Sequence, residues 1–290
     1  MEINGQKLEF NELDKAVNVV LFLVKNKNFS NENIFDMEMC GLKMKDWVKS
    51  AVKYAKVNEI EMDEETDILS SLKTLELDDK KYTVVLFSDT PLLKRKTFLD
   101  VIDYAVRQNL SVLKLTRGYV FETRYLKDIS KLYAPKQQYF DEEDFMRCLN
   151  LKQFLLINEI LQNRIIDYHI KNGVIFINPS SCNIDVNVVI GENTIIYGNN
   201  QIKGKCIIEN NSQLMGGNIV ENSVLKSGVK IENATIKNSF IEEKCEIMPY
   251  VVIENNSLLQ SGAKIKSFSY ISGSVIKENE IIEEFTKVIN

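Results

Sequence analysis

The chain has 290 residues, room for one large or two ordinary domains, and its 44% apolar, 27% charged and 9% aromatic residues are those of a soluble globular protein rather than a disordered or collagen-like one. A net charge of −5, from 36 basic and 41 acidic side chains, argues against nucleic-acid binding by bulk electrostatics, which needs clustered Lys and Arg. The longest apolar stretch, Ala16 to Val24, is nine residues broken by Asn18, against the roughly 20 that a membrane helix requires. The N-terminus MEINGQKLEF carries no basic-then-apolar leader, so a cytoplasmic protein with no membrane partner is expected.

Val17 to Val24 is predicted to be a buried strand, Met44 to Lys56 a helix with Trp47 as a core anchor, Thr83 to Phe87 a second strand, Lys96 to Gln108 a helix and Ser111 to Leu115 a third strand. This alternation reads as α/β over residues 1–140. The acidic stretches EMDEETD from Glu61 and DEED from Asp141 read as solvated surface or helix first turns. A long helical arm is expected over 141–172, with Phe145, Leu149, Leu156, Ile160 and Ile166 forming an apolar stripe and the single histidine, His169, as a core or interface residue. Cys40, Cys148, Cys182, Cys206 and Cys245 are widely spaced without a CxxC pair, which predicts reduced and mostly buried thiols.

Glycine use divides the chain, with three of twelve up to residue 172 and nine after it. Stepping by six from Ile184 gives Ile190, Ile196, Ile202, Ile208, Leu214 and Val220. The phase slips through Leu225, Ile231, Ile236 and Ile241, then resumes through Ile247, Ile253, Leu259, Ile265 and Ile271. One inward aliphatic every six residues is the signature of a parallel β-helix with a triangular cross-section, three steps to a turn. Residues 173–290 suffice for about six and a half turns. Asn and Gly between the aliphatics, as in Gly191-Glu192-Asn193, suit corners of positive φ, Gly216-Gly217 marks a wider corner, and the charged Lys277–Phe285 piece is expected to cap the open end.

The stretch Gly173 to Gly204, with IMPYVVIENNSLLQSGAKIKSFSYI ending at Ile271 and the arm ILQNRIIDYHIKNGV, resembles the hexapeptide-repeat domain of the GlmU family. These are bifunctional N-acetylglucosamine-1-phosphate uridylyltransferases and glucosamine-1-phosphate acetyltransferases. The resemblance implies a left-handed β-helix, all-β, that associates as a homotrimer. VLFSDTPLL, from Val85 to Leu93, is similar to the family's GDTPLL strand end, where the aspartate holds magnesium. Gly41 with Met44 resembles its Gly-Lys-Pro-Met turn. The N-terminal part then becomes a shortened Rossmann-like nucleotidyltransferase domain.

Nucleotidyl transfer requires main-chain N–H groups of a Gly-rich loop around the triphosphate, and a magnesium ion on carboxylate and amide oxygens. Where the family has LxxGxGTRM, this chain reads Leu21-Phe22-Leu23-Val24-Lys25-Asn26-Lys27-Asn28-Phe29, without glycine or arginine, so side chains occupy the places where bare backbone is needed. Asp89 stands as the candidate magnesium and ligand residue, or else as a turn starter before Pro91, with Thr90 and Lys25 as further candidates for contacting substrate and Asn150 as a second magnesium ligand by resemblance. Arg117-Gly118, before Tyr119 and Phe121, is similar to a sugar-contacting strand of the family. The acetyltransferase residues lie in turns beyond those matched, and Glu254-Asn255-Asn256 replaces an Arg-Pro-Gly turn. The expected function is therefore a sugar-nucleotide-binding or assembly protein with little catalysis. An active UDP-sugar pyrophosphorylase with a remodelled loop and a purely structural trimeric scaffold are the alternatives.

Overall fold

The computed structural model describes residues 2–3, 6–25, 34–130 and 136–290, and divides into two units, 1–157 and 158–290. In the first, β1 (Val17–Val24), β2 (Val57–Met62), β3 (Tyr82–Phe87), β4 (Val112–Leu115), β5 (Gly118–Glu122) and β6 (Lys136–Gln137) form one sheet in the order β6-β4-β5-β3-β1-β2. All neighbours run parallel except β5, which is antiparallel to both β3 and β4. Residues alternate between the faces, as strand geometry requires. Val17, Val19, Leu21 and Leu23 join Val84 and Leu86 in one cluster, whereas Val20, Phe22, Val85 and Phe87 enter the other. Burial on both faces is why β1 and β3 read as unbroken apolar runs.

The helices are α1 (Met44–Ser50), α2 (Ile68–Lys73), α3 (Arg95–Arg107), α4 (Thr123–Asp128) and α5 (Leu151–Lys171). The helix expected to reach Lys56 stops at Ser50, because the buried Asp14 carboxylate captures the next backbone donors. The Lys53 and Tyr54 N–H groups give to Asp14 Oδ2 at 2.8 and 2.9 Å, and Arg95 ties the Ala51 carbonyl. Trp47 is only half-buried and donates its ring N–H to the Met39 carbonyl at 2.8 Å, so Met44 and Val48 fill the core positions instead. The DEED stretch is not all surface. Asp144 is fully buried and accepts from the Lys94 N–H at 3.1 Å and its ammonium at 2.7 Å.

The long helix starts ten residues later than the pattern suggested, since Glu143–Phe145 form a 3-10 turn and Asn150 caps α5 through its Oδ1 on the Gln153 N–H. Its buried positions are Ile157, Leu161, Ile165, Ile166 and His169, while Leu156, assigned to the stripe, is 46% exposed.

In the second unit, short strands stack in parallel into three sheets of seven, seven and six strands, a left-handed hexapeptide β-helix of about six turns. Every aliphatic read from the six-residue step, from Ile184 to Ile271, is buried. Each pairs with its counterpart one turn on: Ile184 with Ile202, Leu214 with Ile231 and Ile231 with Ile247, so a turn takes eighteen, seventeen or sixteen residues. The corners set this length. In most six-residue steps the third residue after the aliphatic turns left-handed, as at Asn193, Asn211 and Tyr250 (φ 59°, 60° and 65°), whereas after Ile202 it is the second, Gly204 (φ 68°). In the five-residue steps it is the second, Asn222, Asn233, Asn238 or Gly273 (φ 46°, 44°, 44° and 61°). Asn and Gly, which supply most of these corners, are residues for which that region costs little.

A small buried residue follows most of the left-handed ones and lines the inside of the corner. Cys245 occupies that place alongside Thr194, Ser212 and Ala263, and the buried Cys206 lies two residues after the left-handed Gly204. None of the five cysteines is in a disulfide. Gly191 differs from the expectation. Its φ is not positive, and it is required because a Cβ would meet the Asn210 backbone nitrogen at 2.6 Å. The Lys277–Phe285 piece adds a further strand pairing, Lys264 and Ile265 with Ile281 and Ile282.

Candidate functional site

The carboxyl end of β3 leads into the turn Ser88–Pro91, the place in an open α/β sheet where ligands bind. Ser88 fixes that turn to β1, its N–H giving to the Phe22 carbonyl and its Oγ accepting from the Val24 N–H, both at 2.9 Å. Asp89, next in line, is 1% exposed. Its Oδ1 accepts from Arg117 Nε at 3.1 Å, and its Oδ2 from Arg147 Nε at 2.9 Å and Arg117 Nη2 at 3.1 Å. The Asp89 carbonyl also accepts the Cys148 N–H at 2.8 Å, which anchors the segment carrying Arg147.

Arg117 comes from the tight turn between β4 and β5, with its guanidinium 3.8 Å over the Phe87 ring. Burial pulls its pKa down, while the Asp89 charge holds it up. Gly118 makes this delivery feasible. It sits at φ 131° with the Val85 carbonyl oxygen 2.6 Å from where a Cβ would be, so only glycine lets β5 close on β3 with Arg117 over the end of the strand. The buried Cys148 thiol lies within the same field. Burial, and after it the Asp89 charge, push its pKa up to about 12, so it stays protonated and inert at neutral pH.

The other sequence candidates are placed elsewhere. The Thr90 hydroxyl donates to the Phe87 carbonyl at 2.9 Å and is 1% exposed, a turn contact rather than a ligand contact. Lys25 is exposed and gives its ammonium to Glu61 at 2.5 Å, which raises its pKa, and its N–H to the Met62 carbonyl at 2.8 Å. It is thus bound to β2, on the side of β1 away from β3. Asn26 to Phe29, the rest of the glycine-free stretch, lie outside the described residues. Asn150 Oδ1 serves the cap of α5.

A magnesium ion at this place would need an open carboxylate oxygen at about 2.1 Å. Both Asp89 oxygens are instead within hydrogen-bond distance of guanidinium nitrogens, and a dication beside two guanidinium groups would meet strong repulsion. The residues present do not fit the metal. Among the described residues, no group of three or more His, Cys, Asp or Glu side chains is arranged to hold one. His169 is 2% exposed, and burial lowers its pKa, as for a neutral core histidine. A surface cavity of about 460 Å³ lined by Asp79, Lys80, Lys81, Glu122 and Arg124 lies at the opposite end of β3 and has a mixed-sign lining.

Sequence reasoning found Asp89 but missed its partners. Arg117 was visible next to Gly118, whereas nothing local distinguishes Arg147.

No family model matches the chain. Among curated proteins it is similar to the bifunctional protein GlmU of Lactobacillus delbrueckii subsp. bulgaricus, 29% identical over 170 residues, which are 57% of this chain and 37% of that protein. The GlmU of Streptococcus thermophilus is 28% identical over 172 residues, again 57% and 37% of the two chains. That of Clostridium novyi is 32% identical over 130 residues, 45% of this chain and 28% of the other. The chain is GlmU-like over about half its length, and it spans about a third of the length of the relatives it matches. No helix among the described residues is long and apolar enough to cross a membrane.

Proposed function

We propose that this chain is a GlmU-like protein of the cytoplasm that binds a sugar nucleotide or sugar phosphate at the end of β3 without transferring a nucleotidyl group, and that it assembles as a homotrimer through its β-helix. The observation that carries the reading is the Asp89 carboxylate. In the resembled family this aspartate holds the catalytic magnesium, and here Arg117 and Arg147 take both of its oxygens. The loop from Leu21 to Phe29, with no glycine to let main chain approach a triphosphate, supports the same conclusion from a second place in the sequence.

The direct test is a coupled assay for pyrophosphate release from UTP and N-acetylglucosamine 1-phosphate with magnesium present. The expected result is no turnover above background. Turnover at the rate of an ordinary pyrophosphorylase overturns the reading and restores the enzyme alternative.

The assembly reading has its own support. On the sheet that begins at Val189, the outward residues stack as Val189, Ile207, Val224, Phe240, Leu258 and Val275, apolar at every turn. Val189 and Val275 are each 59% exposed. The outward column beginning at Asn183 is mixed, with Gln201, Thr235 and Lys287 interleaved with Ile219, Val252 and Tyr270. An uninterrupted apolar column on one side of a solenoid is the kind of surface that a rotationally symmetric assembly buries.

A further inference from the structure

We propose that Arg117 and Arg147, clamped by Asp89, form a metal-independent receptor for a phosphate group, so that Asp89 acts as a positioning residue for two guanidinium groups. This deepens the binding reading above by naming the group recognised.

The argument begins with a count of donors. Each guanidinium carries five N–H groups in a rigid fork. Asp89 engages Nε and Nη2 of Arg117 and Nε of Arg147. Nη1 of Arg117 and both terminal nitrogens of Arg147 have no partner among the described residues, although the Arg117 side chain is only 18% exposed. Two positive charges face one negative charge, which leaves a net surplus of one at the carboxyl end of the sheet. Among the described residues no buried side-chain nitrogen or oxygen lacks a partner, so these free donors face solvent, where an incoming anion can reach them.

The geometry that leaves them open also aims them. Phe87 holds the Arg117 plane by stacking at 3.8 Å, and Asp89 fixes the orientation of both forks. Anchored in this way, a guanidinium loses little further freedom on binding. A tetrahedral oxyanion accepts two parallel hydrogen bonds from such a fork, the geometry for which arginine is preferred to lysine. The position that resemblance assigns to a dication therefore carries fixed positive charge supplied by the chain itself. Such a site recruits phosphate in the absence of divalent metal.

The test uses the full chain in excess EDTA, with inorganic phosphate and UDP-N-acetylglucosamine as separate titrants, and follows heat together with the Nε–Hε resonances of Arg117 and Arg147. Both titrants are expected to shift the two resonances, with affinities unchanged within about twofold when magnesium replaces EDTA. Arg147→Gln, at a side chain 41% exposed, is expected to keep the wild-type melting temperature and to weaken both titrants at least tenfold. Arg147→Lys is expected to recover only part of the loss, because an ammonium cannot form the fork.

Binding that appears only with magnesium, or that Arg147→Gln leaves untouched, overturns the proposal. If UDP-N-acetylglucosamine binds equally well to wild type and Arg147→Gln, the sugar-nucleotide reading survives and the arginine receptor falls. If phosphate binds through the arginines and UDP-N-acetylglucosamine binds no better than phosphate alone, the receptor stands and the sugar-nucleotide reading falls.

Discussion

Asp14 and Asp89 are both buried carboxylates gripped by arginine, and they differ in what surrounds the grip. Around Asp14 both terminal nitrogens of the cation are fully used. Arg95 meets the two carboxylate oxygens at 3.1 Å each and gives its remaining hydrogen bonds to the Ala51 and Asn11 carbonyls. This is a structural lock joining α3 to the segment after α1. Burial pulls the Asp14 pKa upward, but the Arg95 hydrogen bond and the backbone donors outweigh it and hold the carboxyl below its ordinary value. A depressed carboxyl stabilises the fold fully above its unfolded pKa of about 3.9, and the contribution is lost as pH falls through the lower folded value. Asp14→Asn is therefore expected to cost about 3 kcal/mol at neutral pH. The gap to wild type should narrow below about pH 4, which urea unfolding midpoints across pH would record. Asp89 was legible because its place after an apolar strand is a local fact. Its arginines lie 28 and 58 residues away, and no local pattern encodes a pairing made by the return of β5 and the approach to α5.

At the scale of elements, legibility follows how much each element depends on its neighbours. The two central strands are buried on both faces, so their apolar runs were enough to place them. The end of α1 was not legible, because Asp14 decides it from thirty-nine residues away. In the β-helix, the inward aliphatics were all readable, since each step obeys one local rule. The position of the left-handed residue was not, because five- and six-residue steps place it differently. That difference predicts an ordering of substitutions. Asn238, exposed at φ 44° in a five-residue corner, is expected to lose about 1 kcal/mol as Asn238→Ala and almost nothing as Asn238→Gly. Ile231→Ala, at a fully buried position, is expected to lose about 3 kcal/mol. Equal losses for the two Asn238 variants would show that backbone conformation is not what the corner selects.

At the scale of the whole molecule, the repeat was the clearest message in the sequence, yet it does not reveal an oligomeric state by itself. The apolar column through Ile207 and Phe240 supplies a physical handle on it. Phe240→Glu places a charge on that column at a residue 37% exposed, where folding has little to lose. Light scattering of wild type at micromolar concentration is expected to give three times the 33.4 kDa chain mass, and the variant is expected to give one. A monomeric wild type would remove the assembly reading and leave the arginine site unaffected. The mixed sheet of the first unit was predicted in outline only, because β5 reverses direction through a glycine whose necessity is visible only beside Val85.

The two corner lengths have an evolutionary consequence. In a flat sheet, losing one residue turns every later side chain to the wrong side. Here a deletion within a six-residue corner that leaves Asn or Gly second in line turns it into a five-residue corner, and all downstream aliphatics still point inward. Single-codon insertions and deletions are thus absorbed where they occur. A gene encoding such a solenoid can drift in length one triplet at a time while its interior stays in phase.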